Sequence, residues 1–201
     1  MAHTIITIDR QFGSGGRELG RRVADLLGFA YYDKEILKEI VKKTEFSEEY
    51  IRDITEKGPI SLFPITYSHS FALASDPNIE MAGDVYSAQT SILRDLAEKS
   101  NCVIIGRAAG YVLRDLKPVR IYVYSTLDSK IARCKERDKE NMTEKQIVKM
   151  IKRVDKQRKR YYEFATGMEW GKLENYDLLV NTSNKDMKAL ARMVAHYFEE
   201  E

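Results

Sequence analysis

The residues best suited to chemistry in this sequence lie in a glycine-rich loop between Arg10 and Arg17. A β-branched run from Ile5 to Ile8 precedes the loop and is typical of a strand. Apolar residues at helical spacing follow it, namely Leu19, Val23, Leu26 and Leu27. A loop that leads into a helix N-terminus binds anions, because its unpaired N–H donors and the positive end of the helix dipole point the same way. We therefore expect the loop to cradle a nucleotide phosphate at Gly13, Ser14, Gly15 and Gly16.

The loop departs from the Walker pattern of Gly, four spacers, Gly, Lys and Ser or Thr. Gly16 stands where the lysine is expected, and Arg17 stands where a hydroxyl residue is expected. Arg10 or Arg17 could replace the lost cation. A purely structural turn is an alternative interpretation of the loop taken alone, since glycine-rich turns before helices are common.

Arginines form the second group of candidate residues. Phosphoryl transfer needs cations that stabilise charge on the moving oxygens, and the planar guanidinium grips phosphate in two places. The arginines that suit this task lie beside the loop, after an apolar run and in a basic segment: Arg10, Arg17, Arg107, Arg153 and Arg158. An ordinary surface position is the alternative interpretation of each of them taken singly. Their combined placement predicts phosphoryl transfer, with Asp155 as a carboxylate in the same basic segment.

The elements that must position these residues alternate between strand and helix. Five segments are apolar or aromatic in the manner of buried strands: Ile5–Ile8, Phe29–Asp33, Cys102–Ile105, Val119–Tyr124 and Tyr176–Asn181. Such alternation predicts an α/β protein with a parallel sheet covered on both faces. Ligands in such sheets lie at the C-terminal ends of the strands. We expect one crevice to collect the groups at those ends: Asp9 with the glycine-rich loop, Asp33, Gly106-Arg107 and Asn181-Thr182-Ser183.

Helices are predicted between these strands. Their expected spans are Lys34–Lys43, Ser47–Lys57 with Ser47 as the cap, Val85–Lys99, Ala109–Leu116, Leu127–Asp138 and Asp186–Phe198. Thr143 and Gln146 have the spacing of a capping box that opens a further, long basic helix. The region from Pro59 to Asp84 has no clear period, and a substrate-binding loop and a disordered segment are both compatible with it.

Composition sets the broad class. The chain has 201 residues, 43% of them hydrophobic and 32% charged, as expected for one globular domain with an appended lid or insert. No apolar run reaches membrane-spanning length, and the first predicted strand begins too early for a signal peptide, so we expect a cytoplasmic protein without a membrane partner. Cys102 and Cys134 are expected to be reduced. The three scattered histidines predict no metal site.

Charge is uneven along the chain. The net charge is +2, but the stretch from Lys130 to Arg160 has 13 Lys or Arg against 5 Asp or Glu, a local balance of +8. A solvated helical face, a nucleic-acid patch and a lid over a polyphosphate all fit this excess. Aromatic residues do not occur in the block before Tyr161, so nucleic-acid binding is the least favoured of the three.

The order of the motifs resembles the cytidylate kinase-like family over nearly the whole chain. The likeness is carried by TIDRQFGSGGRELG, FAYYDKEIL, CVIIGRAAGYVL, VRIYVYSTLDSKIARCKER and DKQRKRYYEFATGMEWGKLENYDLLVNTS. The resemblance implies a three-layer P-loop kinase fold with a five-stranded parallel sheet. It also implies a single domain over residues 1–201, with a helical monophosphate-binding insert at about 34–100 and a basic lid at about 133–172.

The resemblance also implies roles for the candidate residues. The donor phosphates of ATP are expected at Arg10, Gly13, Ser14, Gly15, Gly16, Arg133 and Arg137. The catalytic group would comprise Arg17 with the lid residues Arg153, Asp155 and Arg158, and the acceptor nucleotide would be bound by Asp33 and Arg107. Tyr161, Tyr162 and Trp170 match the divergent branch of the family, and lid packing and base stacking are equally open for them.

Three departures from the family pattern concern the activity itself. Gly16 replaces the Walker lysine, Ile105 replaces an acid expected before Gly106-Arg107, and Ala108 replaces an acid expected after it. Asp9 or Asp33 could hold Mg²⁺ through water, although the sequence does not identify the metal ligands. We expect ATP-dependent phosphoryl transfer to a nucleoside monophosphate, CMP-like or dCMP-like, or to a related small acceptor. The alternative is a nucleotide-binding sensor or regulator without turnover, and the oligomeric state is not predicted.

Overall fold

Five parallel strands form one sheet in the computed structural model, which describes residues 3–57, 77–137 and 141–198. The strands lie in the order β2-β3-β1-β4-β5. Their bounds are β1 Ile5–Arg10, β2 Ala30–Tyr32, β3 Cys102–Ile105, β4 Val119–Tyr124 and β5 Leu178–Asn181. β1 is central, since Ile6 is opposite Val103 of β3 and Val119 of β4. The predicted α/β class and five-stranded parallel sheet are confirmed.

Helices cover both faces of this sheet. Their bounds are α1 Gly16–Leu27, α2 Glu35–Lys43, α3 Glu48–Lys57, α4 Pro77–Lys99, α5 Ala109–Val112, α6 Leu127–Arg137, α7 Glu144–Thr166 and α8 Met187–His196, with short 3₁₀ turns at Arg114–Leu116 and Leu173–Asn175. Ile6 and Ile8 of β1 pack with α1 and α8, whereas Ile5 packs with α2 and α4. Because successive strand residues point to opposite faces, β1 contributes to both cores and is fixed from both sides.

Most predicted boundaries agree with the structure, and four features differ. α4 begins at Pro77, eight residues before the expected start at Val85, so residues 77–84 are helical and not irregular as expected. Proline suits a first helical turn because its missing N–H would have no helical partner there. Residues 59–76 of that expected irregular region lie outside the described part of the chain. The helix expected at Ala109–Leu116 is divided into α5 and a 3₁₀ turn. β5 begins at Leu178, two residues after the expected start at Tyr176. Leu26, expected on the apolar face of the first helix, is 52% exposed.

The predicted caps are present. The Ser47 hydroxyl accepts the Tyr50 N–H at 3.2 Å, and the Thr143–Gln146 capping box opens α7. Within the described residues, neither Cys102 nor Cys134 takes part in a disulfide. None of the helices within the described residues has the length and apolar character needed to cross a membrane.

Two helical glycines provide a matched test of the packing between α1 and the sheet. A Cβ atom on Gly20 would lie 2.6 Å from Ile105 Cδ1 and 2.9 Å from Ile8 Cδ1, whereas one on Gly83 in α4 would meet no atom of the described residues within 4 Å. We expect Gly20→Val to lower the free energy of unfolding by about 1–3 kcal/mol through overpacking. Gly83→Val should change it by less than about 0.5 kcal/mol. Urea denaturation of both variants checks this, and equal effects would contradict the described packing.

Candidate active site

The glycine-rich loop is held by hydrogen bonds to its carbonyl oxygens. Gly13 and Gly15 adopt left-handed φ angles of 76° and 81°, which a residue with a Cβ atom rarely adopts. Side chains from α6, α7 and the segment after β5 donate to the loop: Arg133 Nη1 to Gly13 O at 2.8 Å, Arg158 Nη1 to Arg10 O at 3.0 Å and Thr182 Oγ1 to Ser14 O at 2.6 Å. With these carbonyls bonded to other elements, the loop can present N–H groups to a ligand.

The start of α1 presents such N–H groups. Gly15 is the N-cap and provides no side-chain hydrogen bond, so the first-turn N–H groups have no capping oxygen. The N–H groups of Gly16 and Arg17 belong to this turn. An uncapped N-terminus with its positive dipole end favours phosphate. The predicted phosphate cradle therefore has the backbone geometry that an anion requires.

A cavity of about 610 Å³ opens on this cradle. Within the part of the chain that the structure describes, every charged residue that lines it is an arginine: Arg10, Arg17, Arg133, Arg137, Arg153 and Arg158. The volume lies within the usual range for small-molecule sites, and the concentration of cations suits a polyphosphate. We call this space the donor cavity. The structure thus brings together all six arginines that the sequence assigned to the donor or to catalysis.

A second cavity, of about 280 Å³, adjoins the first. We call it the acceptor cavity. Among the described residues, its charged lining consists of Arg10, Arg17, Lys34, Arg107, Arg158 and one acid, Asp9. Four residues line both cavities: Arg10, Phe12, Arg17 and Arg158. The boundary between the two spaces is therefore cationic, and a group that passes from one space to the other would meet guanidinium groups there.

Arg17 and Asp33 bind each other. Arg17 Nε lies 2.5 Å from Asp33 Oδ2, the Asp33 side chain is 11% exposed, and the Arg17 side chain is 51% exposed. The sequence predicts separate roles for them, in catalysis and in acceptor binding. In the structure the carboxylate neutralises part of the Arg17 charge and holds that side chain against the end of β2. Their separate roles stay predictions.

Asp155 holds the loop and does not line either cavity. Its Oδ1 accepts the Phe12 N–H at 2.6 Å, and Lys130 Nζ lies 3.7 Å from Oδ2. Burial raises the pKa of the Asp155 carboxyl, whereas the Phe12 N–H and the nearby cations lower it. These contacts tie α7 to the loop, and the catalytic role that the sequence predicts for Asp155 stays a prediction.

Several neighbours of the site were not predicted from the sequence. Lys130 is buried in α6, and burial lowers the pKa of its ammonium. Lys34 and Gln157 line the acceptor cavity. The position of Lys34 directly after Asp33 at a strand end was a usable signal, whereas Lys130 and Gln157 are identified only by the tertiary fold.

The aromatic residues after the basic block mainly pack. Tyr161 and Tyr162 are buried with Ala108 in a small cluster, and Tyr161 Oη accepts a hydrogen bond from Gln89 Nε2 at 2.6 Å. Trp170 meets Tyr122 edge to face, with ring centroids 5.6 Å apart. All three also line the acceptor cavity. The packing interpretation therefore has direct support, and base stacking stays a prediction.

The expected crevice at the strand ends forms only in part. Asp9, Gly106 and Arg107 line the acceptor cavity, and Thr182 contacts the loop. Ser183, in contrast, accepts the Thr126 N–H and its own hydroxyl donates to Asn181. The end of β5 thus supports the loop and does not line either cavity, as far as the described lining residues show.

Asp9 is a buried carboxyl at the end of β1. Burial raises its pKa, although Arg10, Arg158 and the Tyr176 hydroxyl at 3.3 Å favour the charged form. A carboxyl whose folded pKa exceeds its unfolded value of about 3.9 destabilises the folded protein increasingly as pH rises through the interval between the two values. The site therefore retains Asp9 at a cost in stability at neutral pH.

Asp9→Asn should consequently raise the free energy of unfolding at pH 7. The difference from the wild type should disappear as pH falls below about 4, where the carboxyl is neutral in both states. Urea denaturation at several pH values measures this. Asp25→Asn on the exposed face of α1 is the control, with an expected change of less than about 0.5 kcal/mol at every pH. A lower stability of Asp9→Asn at pH 7 would contradict the account.

The donor set fits a polyphosphate but not a protein-held magnesium ion. No group of three or more His, Cys, Asp or Glu that could hold a metal occurs among the described residues. The three nearby acids each have a partner in the protein, since Asp155 binds the Phe12 N–H, Asp33 binds Arg17, and Asp9 accepts a hydrogen bond from the Tyr176 hydroxyl. A Mg²⁺ ion that accompanies a nucleotide would find its oxygen ligands on phosphate and water.

Comparison with known proteins connects this geometry to a family. The cytidylate kinase-like family matches residues 5–184. A cytidylate kinase from Staphylothermus marinus is 24% identical over 195 residues, which cover 97% of this chain and 96% of that protein. A crystal structure of an uncharacterized protein from Eubacterium ventriosum has a TM-score of 0.72 and 26% identity, covering 99% of this chain and 100% of that one.

A more distant likeness concerns the fold alone. A shikimate kinase from Bacteroides thetaiotaomicron has a TM-score of 0.56 and 13% identity, with 98% of each chain covered. The predicted three-layer P-loop kinase fold is thereby confirmed. The match over residues 5–184, together with the variant phosphate loop, shows that this chain belongs to the cytidylate kinase-like family.

Proposed function

We propose that this protein transfers the γ-phosphoryl group of ATP to a nucleoside monophosphate or a related small phosphate acceptor. The family and the kinase fold support nucleotide kinase activity in general. The observation that carries the proposal is the shared lining of the two cavities, in which Arg10, Arg17 and Arg158 lie at the boundary. A phosphoryl group crossing that boundary would be surrounded by the cations that its transition state requires.

Different residues of the chain bind the donor and the acceptor in this reaction. The N–H groups at the start of α1 and the arginines of the donor cavity bind the triphosphate. Arg107 and Lys34 hold the anionic acceptor in the other cavity. An acceptor phosphate oxygen forms the new bond to the γ-phosphorus as the bond to the β-phosphate oxygen breaks, and ADP leaves. The attacking oxygen is already ionised near neutral pH, so no residue has to remove a proton from it.

The helices α6 and α7 form the proposed lid. They contribute Arg133, Arg137, Arg153 and Arg158 to the donor cavity. α7 lies within the lid expected at about 133–172, whereas only the last turn of α6 overlaps it. In the same way, α2, α3 and α4 lie within the insert expected at about 34–100. We assign the whole of residues 1–201 to one kinase domain, and we place its activity in the cytoplasm.

A CMP-like or dCMP-like acceptor is the specific form of the proposal. It is supported by the matching family and by the Staphylothermus marinus relative, which bears the name cytidylate kinase. The size of the acceptor cavity, about 280 Å³, suits a small phosphorylated molecule. Ala108 lines that cavity at the position where the family pattern has an acid, so base selection would rest on other contacts.

Coupled measurement of ADP release tests the proposal. The protein is given ATP and Mg²⁺ with a panel of ribonucleoside and deoxyribonucleoside monophosphates, and ATP binding is measured in parallel. We expect acceptor-dependent ADP release, fastest with a cytidine monophosphate. Tight ATP binding without turnover on any acceptor would overturn the kinase proposal and favour the sensor or regulator. Binding to an oligonucleotide that depends strongly on salt and not on ATP would favour a nucleic-acid role.

A further inference from the structure

Arg10 and Gly16 occupy two defined positions of the Walker pattern. Counted from Gly15, the pattern Gly-x-x-x-x-Gly-Lys has its first glycine at position 10 and its lysine at position 16. This chain has the cation at the first position and the glycine at the second. The two residue types have changed places, so the loop retains one cation and one small residue.

The Arg10 side chain fills the space beside Gly16. A Cβ atom on Gly16 would lie 2.6 Å from Arg10 Cβ, the nearest atom, and 3.2 Å from Arg10 Cγ, with Val123 Cβ at 3.1 Å. Real Cβ atoms do not approach another carbon this closely, so position 16 cannot hold a side chain while Arg10 lies there. The Arg10 side chain occupies the space that a side chain at position 16 would need. The arginine at position 10 and the absence of lysine at position 16 are therefore one structural change.

A second glycine receives the other end of Arg10. Arg10 Nη1 lies 2.0 Å from the point where a Cβ atom on Gly106 would be, and Gly106 has a φ angle of +70°. The Arg10 side chain thus extends from the start of α1, beside Gly16, to Gly106 directly after β3. Along this path it lines both the donor and the acceptor cavities.

The Arg10 guanidinium remains a cation in this setting. Burial and the neighbouring Arg158 and Arg17 lower its pKa to about 9, whereas Asp33 and Asp9 raise it. It is therefore charged at pH 7. A buried cation costs free energy unless an opposite charge meets it, and a bound phosphate would provide that charge.

We propose that Arg10 supplies, from position 10, the cation that lysine supplies from position 16 in a Walker loop, and that it binds the terminal phosphates of the donor. This deepens the proposed function, because it names the residue that replaces the lysine. The planar fork of the guanidinium can hold two phosphate oxygens, which a lysine ammonium does not do with the same geometry.

An exchange of the two residues tests this directly. The proteins are the wild type, Arg10→Gly, Gly16→Lys and the double variant Arg10→Gly/Gly16→Lys. Affinity for inorganic tripolyphosphate and for ATP is measured by calorimetry without an acceptor, and thermal melting monitors folding. We expect each single variant to bind tripolyphosphate about tenfold to a hundredfold more weakly, from loss of the cation or from the clash. The double variant should regain most of the affinity.

The inference would be overturned if Arg10→Gly bound tripolyphosphate with wild-type affinity. It would also be overturned if the double variant folded but bound tripolyphosphate no more tightly than Arg10→Gly. Should the double variant fail to fold, Arg10→Gln and Arg10→Lys decide the question, because only the former removes the charge. Arg10→Gln with unchanged affinity would overturn it, and Arg192→Gln on the exposed face of α8 is the matched control. Tripolyphosphate binding needs no acceptor, so loss of binding in Arg10→Gly supports this inference even where the wild type shows no kinase turnover.

Discussion

Arg158→Ala is expected to lower kcat/KM for phosphoryl transfer by about 100-fold or more, the range seen when a cation or donor that stabilises the transition state is removed. Arg158 lines both cavities, its Nη1 atom donates to Arg10 O at 3.0 Å, and its guanidinium lies 5.7 Å from the centre of the Phe12 ring. Arg158 therefore places a positive charge at the boundary between the two cavities and also fixes the loop through its hydrogen bond to Arg10 O. Steady-state kinetics with ATP and the preferred acceptor measures the effect.

Arg160→Ala is the matched control for that experiment. Arg160 is exposed on the same helix and lines neither cavity among the described lining residues. We expect its kcat/KM to stay within about twofold of the wild type, because a solvated charge at that distance is screened by salt. Arg158→Lys should recover only part of the activity, since lysine keeps the charge but not the planar fork. Equal kinetics for the two alanine variants would show that Arg158 has no special position.

Arg107→Ala and Arg153→Ala are expected to separate acceptor binding from donor binding. Arg107 lines only the acceptor cavity and Arg153 only the donor cavity, among the cavities at the loop. Loss of a charge-assisted hydrogen bond to phosphate costs about 1.5–3 kcal/mol, which corresponds to about tenfold or more in affinity. Arg107→Ala should therefore raise the KM of the monophosphate by about tenfold with the KM of ATP nearly unchanged. Arg153→Ala should do the reverse.

Initial-rate kinetics with each substrate varied in turn checks this separation. Arg114→Ala, exposed after α5 and outside both cavities, is the control for charge loss. If both variants raised the same KM, the assignment of the two cavities would be wrong. Parallel measurement of ATP binding without acceptor distinguishes a change in affinity from a change in turnover.

The sheet and the loop could be predicted from local sequence because local chemistry determines them. The runs at Ile5 and Cys102 are β-branched and apolar, and glycine is the residue that tolerates the left-handed angles at positions 13 and 15. The capping box at Thr143 and Gln146 depends on two residues three positions apart. Short-range patterns of this kind do not depend on contacts between residues distant in sequence, so they can be identified from the sequence alone.

The candidate site could be predicted only as a set of residues, because their pairing depends on contacts distant in sequence. Asp155 binds the N–H of Phe12, a residue 143 positions away, and no local pattern indicates this contact. Arg17 and Asp33 had separate predicted roles, whereas in the structure they form one ion pair. The sequence shows that Gly16 lacks a side chain, and only the fold shows which residue fills that space.

The boundary between the cavities also depends on tertiary structure. Arg10 belongs to β1, Arg17 to α1 and Arg158 to α7, so three separate elements place their cations at one point. Each of the three was a candidate by residue type. Their common position could not be read from spacing, since it depends on how α7 crosses the loop.

Transfer of labelled phosphoryl from γ-³²P ATP tests the central claim most directly. The wild type and Arg158→Ala, purified in parallel, are incubated with ATP, Mg²⁺ and a cytidine monophosphate, and the labelled products are separated. The account predicts label in the nucleoside diphosphate with the wild type and about 100-fold less with the variant. Label that stays in ATP, or that appears only as inorganic phosphate, across every monophosphate tested would contradict it.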